Sequence, residues 1–112
     1  MTFQELGLRQ EILDAVAELG FVNPMPVQEQ VIPYMLTHEN DLVALAQTGT
    51  GKTAAFGLPI LNMVNVEQRK IQSLVLAPTR ELCIQIANDI KNFASKMRGV
   101  KAVPVYGGES IA

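Results

Sequence analysis

Apolar positions along the chain alternate between a three-four rhythm and short unbroken runs. Ile12, Ala15, Val16 and Leu19 share one face, which predicts a helix over residues 9–19, with Gly20 placed to stop it. Residues 20–26 hold Pro24 and Pro26 and read as a rigid loop. A second helix is expected from Pro26 or Val27, with Pro33 kinking it or ending it early. The run at 42–46 reads as a buried strand, and a helix is expected from about Lys52, disturbed at Pro59. Residues 73–77 form a second run of the same kind. The strongest rhythm follows: Leu82, Cys83, Ile86, Ala87, Ile90, Phe93, Ala94 and Met97 predict about four helical turns. Thr79 suits its N-cap, Glu81 its first turn, and Lys96 and Arg98 its last, ahead of Gly99. Residues 101–106 predict a weaker strand, moved to an edge or a bulge by Pro104. Strands alternating with helices imply an α/β fold with parallel strands and right-handed crossovers.

Composition narrows the class. At 112 residues, 48% hydrophobic and 18% charged, the chain has material for a core and does not match a disordered composition. Aromatics make up 5% and Trp is absent, so the core must be aliphatic. A formal net charge of −2 argues against a general polyanion-binding surface, so any nucleic-acid contact must be local. The single cysteine, Cys83, forms no internal disulfide and fits a reducing compartment. No apolar run approaches the roughly 18 residues of a membrane span, and the N-terminus has neither part of a signal peptide. The expectation is a cytoplasmic domain with no membrane partner.

Between the first apolar run and the helix at Lys52 stands Ala46-Gln47-Thr48-Gly49-Thr50-Gly51-Lys52-Thr53. Strand, Gly-rich turn and helix are the context of a phosphate-binding loop. Gly49 and Gly51 carry no Cβ, so the backbone can curl round phosphate and aim several N–H groups inward. The helix opening at Lys52 adds its positive end, worth roughly 0.3–1 kcal/mol per favourable charge. Lys52 supplies a mobile charge for β- and γ-phosphates, and Thr53 a hydroxyl for Mg²⁺. Ala46 replaces the first glycine of the general pattern. Upstream, Gln28 offers an amide donor and acceptor side by side, which match adenine N6 and N7 and mismatch guanine. Downstream, Thr79, Arg80 and the N–H groups opening the long helix make a second candidate anion site. Lys91, Lys96, Arg98 and Lys101 read as a solvated helix face rather than a basic track, and His38 as a turn residue.

Phe3, the element Gly20-Phe21-Val22-Asn23-Pro24-Met25-Pro26-Val27-Gln28, the phosphate loop, Pro78-Thr79-Arg80-Glu81-Leu82 and Gly107-Gly108 occur in that order. Together they resemble the N-terminal signature of the DEAD-box family of ATP-dependent RNA helicases, over residues 3–108. Two departures are Met25, where Ser or Thr is usual, and Cys83, where Ala is commoner. The resemblance implies a RecA-like P-loop NTPase lobe, a parallel sheet with flanking helices, present as an incomplete half-lobe. Residues 1–28 are then the Q-motif region and 41–112 the start of the ATP-binding core. It implies that Phe3 stacks on the adenine, and that Pro78, Thr79, Arg80, Gly107 and Gly108 hold phosphates of single-stranded RNA. ATP and Mg²⁺ are the implied cofactors, and RNA the implied partner.

Hydrolysis also needs an acidic residue on Mg²⁺, a group that positions water, and arginines for the transition state. The family takes these from an Asp-Glu-Ala-Asp motif and a second lobe, neither of which lies within the 112 residues. Uncovered sheet edges and apolar faces are therefore expected, and with them self-association. The parent is expected to be an RNA-stimulated ATPase. The alternative for the isolated chain is a nucleotide-binding or assembling module without turnover. A different P-loop ATPase, such as a DNA helicase or a nucleotide kinase, is disfavoured by Gln28 and residues 78–82.

Overall fold

A computed structural model describes residues 1–45 and 51–106. A 3₁₀ turn, Phe3–Leu6, is followed by α1 (Gln10–Glu18), α2 (Pro26–Thr37), α3 (Lys52–Met63) and α4 (Arg80–Phe93). α3 lies at the centre, packed against α1, α2 and α4. It buries Ala54, Ala55, Leu58, Pro59 and Leu61. The core joins Ala54, Leu58 and Leu61 to Phe3, Leu6, Leu8, Ile12, Val16, Ile32, Phe93 and Ala94. Aliphatic side chains dominate it, but Phe3 and Phe21 lie 6.0 Å apart between ring centroids, and Phe21 meets Phe93 edge-on at the same distance.

Local chemistry explains the helix ends. α1 buries Ile12, Ala15 and Val16 at helical spacing and gives way to Gly20 at φ +89°. That left-handed angle favours glycine. Its first turn is tied to α3 by the Arg9 N–H, which donates to Asn62 Oδ1 at 2.7 Å. The Thr79 hydroxyl accepts the Leu82 N–H at 3.1 Å, the N-cap that residue type favours at the start of α4.

Both internal prolines are carried inside their helices, so of the two outcomes expected at Pro33 the early end does not occur. α2 continues through Pro33 to Thr37, and α3 through Pro59 to Met63. Each proline removes one backbone donor, whereas burial of Val31 and Ile32 in α2 and of Leu58 and Leu61 in α3 anchors the turns on either side. In α2 the Thr37 hydroxyl also donates to the Pro33 carbonyl at 2.8 Å. α4 ends at Phe93 with Ala94 as its C-cap, short of Met97, and residues 95–98 turn toward Gly99 at φ +79°.

The expected strands are not formed among the described residues. Residues 42–45, 73–77 and 101–106 belong to no sheet ladder, and the parallel sheet is not observed. A strand needs a neighbour to take its N–H and C=O groups, and these segments do not pair with one another. Their apolar side chains stand in solvent instead: Leu45 is 94% exposed, Val43 and Leu76 85%, and Leu74 81%. The apolar runs were legible, but their burial depended on partners that local sequence does not specify.

Candidate nucleotide and nucleic-acid sites

Gly51 opens α3 from a left-handed conformation, φ +81° and ψ 25°. A Cβ on Gly51 would meet Gln28 Nε2 at 2.3 Å and Met25 Sδ at 3.1 Å, so only glycine fits the turn and its neighbours. Lys52 and Thr53 follow in the first turn, Lys52 exposed and Thr53 half-buried. The dipole end of α3, a mobile ammonium and a hydroxyl thus come from three consecutive residues, a donor set suited to a phosphate and its Mg²⁺. Ala46, Gln47, Thr48, Gly49 and Thr50 lie outside the described residues.

Gln28 stands in the first turn of α2 and is 2% exposed. Its Oε1 accepts the Met25 N–H at 3.0 Å, and its Nε2 donates to the Gly51 carbonyl at 3.3 Å. One buried amide therefore ties the proline-fixed loop to the residue that opens α3. A primary amide has two N–H bonds and two acceptor lone pairs, so each of these contacts uses half of the capacity on its side. The structure brings together two sequence-predicted residues, Gln28 and Gly51.

It does not do the same for Phe3. That ring is 3% exposed and packs on Phe21 inside the core. Phe3 belongs to the buried core cluster.

The second candidate site surrounds the start of α4. A groove of about 410 Å³ is lined by residues 75–80, Cys83, Val105 and Tyr106, and so includes Pro78, Thr79 and Arg80. The Arg80 guanidinium lies 5.0 Å from the centroid of the Tyr106 ring, within cation–π range. Cys83 Sγ approaches the Val105 carbonyl at 3.7 Å, holding residues 103–106 beside the helix. Sequence reasoning assigned Tyr106 only to a weak strand and missed this contact. The signal was an aromatic directly before Gly107-Gly108, two residues that lie outside the described ones. Of the cations considered for a basic strip, Lys96 is paired with Glu18 at 2.5 Å, and that carboxylate raises the lysine's pKa. No helix among the described residues is long and apolar enough to cross a membrane.

Comparison with known proteins accounts for this arrangement. Residues 25–112 match the sequence profile of the DEAD/DEAH box helicases. The chain is 50% identical over 108 residues to an ATP-dependent RNA helicase DeaD of Klebsiella pneumoniae, covering 96% of the chain. It is 48% identical over 110 residues to the DEAD-box ATP-dependent RNA helicase CshA of Geobacillus kaustophilus, covering 98% of the chain. It spans 17% and 23% of the lengths of those two relatives. Among solved structures, a DEAD box protein from Methanococcus jannaschii superposes with a TM-score of 0.84 at 41% identity, covering 98% of this chain and 30% of that one. The RNA helicase Prp28 from Chaetomium thermophilum, bound to ADP, gives 0.86 at 41% identity over 97% of this chain and 27% of that one. Dbp5 of S. cerevisiae, bound to RNA and ADP BeF3, gives 0.84 at 37% over 87% and 25%. The backbone as a whole is therefore similar to parts of these helicases. With its phosphate-loop glycine locked against a buried glutamine, this chain belongs to the DEAD/DEAH box helicase family.

Proposed function

We propose that the chain supplies the base pocket, the phosphate loop and part of the RNA track of a cytoplasmic ATP-dependent RNA helicase. In this reading residues 1–28 form the base-reading region and residues 41–112 begin the ATP-binding core. Residues 46–53 cradle the triphosphate, Lys52 neutralises the β- and γ-phosphates, and the Thr53 hydroxyl holds Mg²⁺. Gln28 reads adenine, while Pro78, Thr79, Arg80, Gly107 and Gly108 hold RNA phosphates. The parent couples ATP hydrolysis to RNA binding and unwinding. The observation that carries the reading is the contact of the buried Gln28 amide with Gly51, because it joins a base-selective group to the phosphate loop. Relatives described as ATP-dependent RNA helicases support it.

The test is calorimetric titration of Mg·ATP and Mg·GTP into the chain and its Gln28→Ala variant. Loss of a matched amide contact to a base costs on the order of 1–3 kcal/mol, so ATP affinity should fall roughly 5- to 150-fold while GTP binding barely moves. Equal losses for the two nucleotides would remove Gln28 from the base site.

For the isolated 112-residue chain, a second reading is favoured by the exposed apolar residues of 42–45, 71–76 and 103–105. The chain then binds nucleotide without turnover and self-associates through these segments. RNA-stimulated phosphate release by the 112 residues alone would overturn the first half. A monodisperse monomer in sedimentation would overturn the second.

A further inference from the structure

Met25 is the point at which the 20–28 element departs from its family pattern, and the fold gives that departure a location. Its Sδ lies 3.1 Å from the position of a Gly51 Cβ, on the face of the glycine that Gln28 Nε2 also occupies. Its own N–H holds Gln28 Oε1, and Gln28 Nε2 in turn holds the Gly51 carbonyl. The side chain is nevertheless 43% exposed. A residue with a soft, oxidisable sulfur is thus part exposed and lies beside the glycine that opens α3.

We propose that Met25 is an oxidation site that loosens the nucleotide site, an inference that rests on the ATP-binding reading above. A peroxide transfers one oxygen atom to Sδ. The O–O bond breaks, an S–O bond forms, the sulfur gives up two electrons, and hydrogen peroxide leaves as water. The product is a polar sulfoxide whose oxygen is a strong hydrogen-bond acceptor. Beside Gln28 its oxygen draws the Nε2 group away from the Gly51 carbonyl, to which it is bonded at 3.3 Å. It also adds volume where the space between Gly51, Gln28 and Met25 is already filled. The Gln28–Gly51 tie opens, and the residue that begins α3 loses its fixed position. Methionine sulfoxide reductase reverses the change: two thiols are oxidised to a disulfide and the oxygen leaves as water. A Ser or Thr at this position has no such chemistry.

The experiment treats the 112-residue chain with hydrogen peroxide until peptide mass mapping shows one added oxygen on Met25. The Gly51 amide resonance is followed by NMR and Mg·ATP affinity by calorimetry, before treatment, after it, and after methionine sulfoxide reductase with a thiol reductant. The expected result is a shifted Gly51 resonance with roughly tenfold weaker ATP binding, the loss of about one hydrogen bond, both restored by the reductase. Met25→Leu, with the other methionines oxidised, should keep after peroxide the values it had before. An unmoved Gly51 resonance in a chain fully oxidised at Met25 would overturn the proposal, as would an equal response from the Leu variant. Failure of the untreated chain to bind Mg·ATP would sink the functional reading instead, while the resonance would still decide the oxidation site.

Discussion

Gly51→Ala separates two contributions at the phosphate loop that a single measurement would merge. The first is backbone strain: at φ +81° an L-residue costs roughly 1–2 kcal/mol relative to its ordinary conformations. The second is collision, because the new Cβ would stand 2.3 Å from Gln28 Nε2. That atom must move, breaking its 3.3 Å bond to the Gly51 carbonyl. Loss of the bond at a buried site adds about 1 kcal/mol or more, giving a total of about 2–3 kcal/mol. In a Gln28→Ala background the collision with the amide is gone, and the strain remains, about 1–2 kcal/mol, beside a 3.1 Å approach that the flexible Met25 side chain can relieve. Urea unfolding followed by far-UV circular dichroism on the four members of this cycle yields the coupling directly. A coupling near 1 kcal/mol is expected. If Gly51→Ala costs the same with and without Gln28, the contact between the two residues has no energetic content and the account of this junction is wrong.

The remaining predictions concern the frame around the site. Phe3→Leu should lower stability by about 1–2 kcal/mol through imperfect refilling of the core, while changing ATP affinity less than about twofold among folded molecules; a large, ATP-specific loss in calorimetry would return Phe3 to the base. Thr79→Ala should cost about 1 kcal/mol by uncapping α4, read in urea melts, with Thr79→Ser recovering most of it. Glu5 Oε1 accepts both the N–H and the hydroxyl of Thr2 at 3.0 Å, and these bonds hold its pKa below the usual 4.5. A lowered folded-state value contributes stability above pH 4.5 that disappears as pH falls through that lowered value. Glu5→Gln should therefore flatten the acid limb of a pH-stability profile, and identical limbs for the two proteins would contradict the assignment.

Residue types that act locally were read correctly. Thr79 is an N-cap because its hydroxyl reaches an N–H three residues on, and Gly20 ends α1 because its angle is closed to other residues. Neither depends on distant chain. The local cost of Pro33 and Pro59 is real, but packing of the flanking turns against other helices lets α2 and α3 run on past them. The expected strands do not form among the described residues. Runs such as 42–46 and 73–77 carry the apolar residues of buried strands, yet a strand exists only through hydrogen bonds to another segment. In the candidate site, Gln28 and the loop ending at Lys52 and Thr53 were visible as motifs, whereas the contact of Gln28 with Gly51 was not. The packing of Phe3 on Phe21, and of Phe21 on Phe93, joins residues far apart in sequence and was not legible from spacing.

Those three rings also set an order of assembly. Phe3 precedes α1 and Phe93 is the last residue of α4, with Phe21 touching both. During synthesis Phe3 and Phe21 have no finished shelter until residue 93 has left the ribosome, although α1 and α2 can form earlier from nearby contacts. Until then two aromatic side chains remain available to chaperones. A truncation ahead of residue 93 should therefore lose the protease resistance of the N-terminal helices as well as the helix it removes.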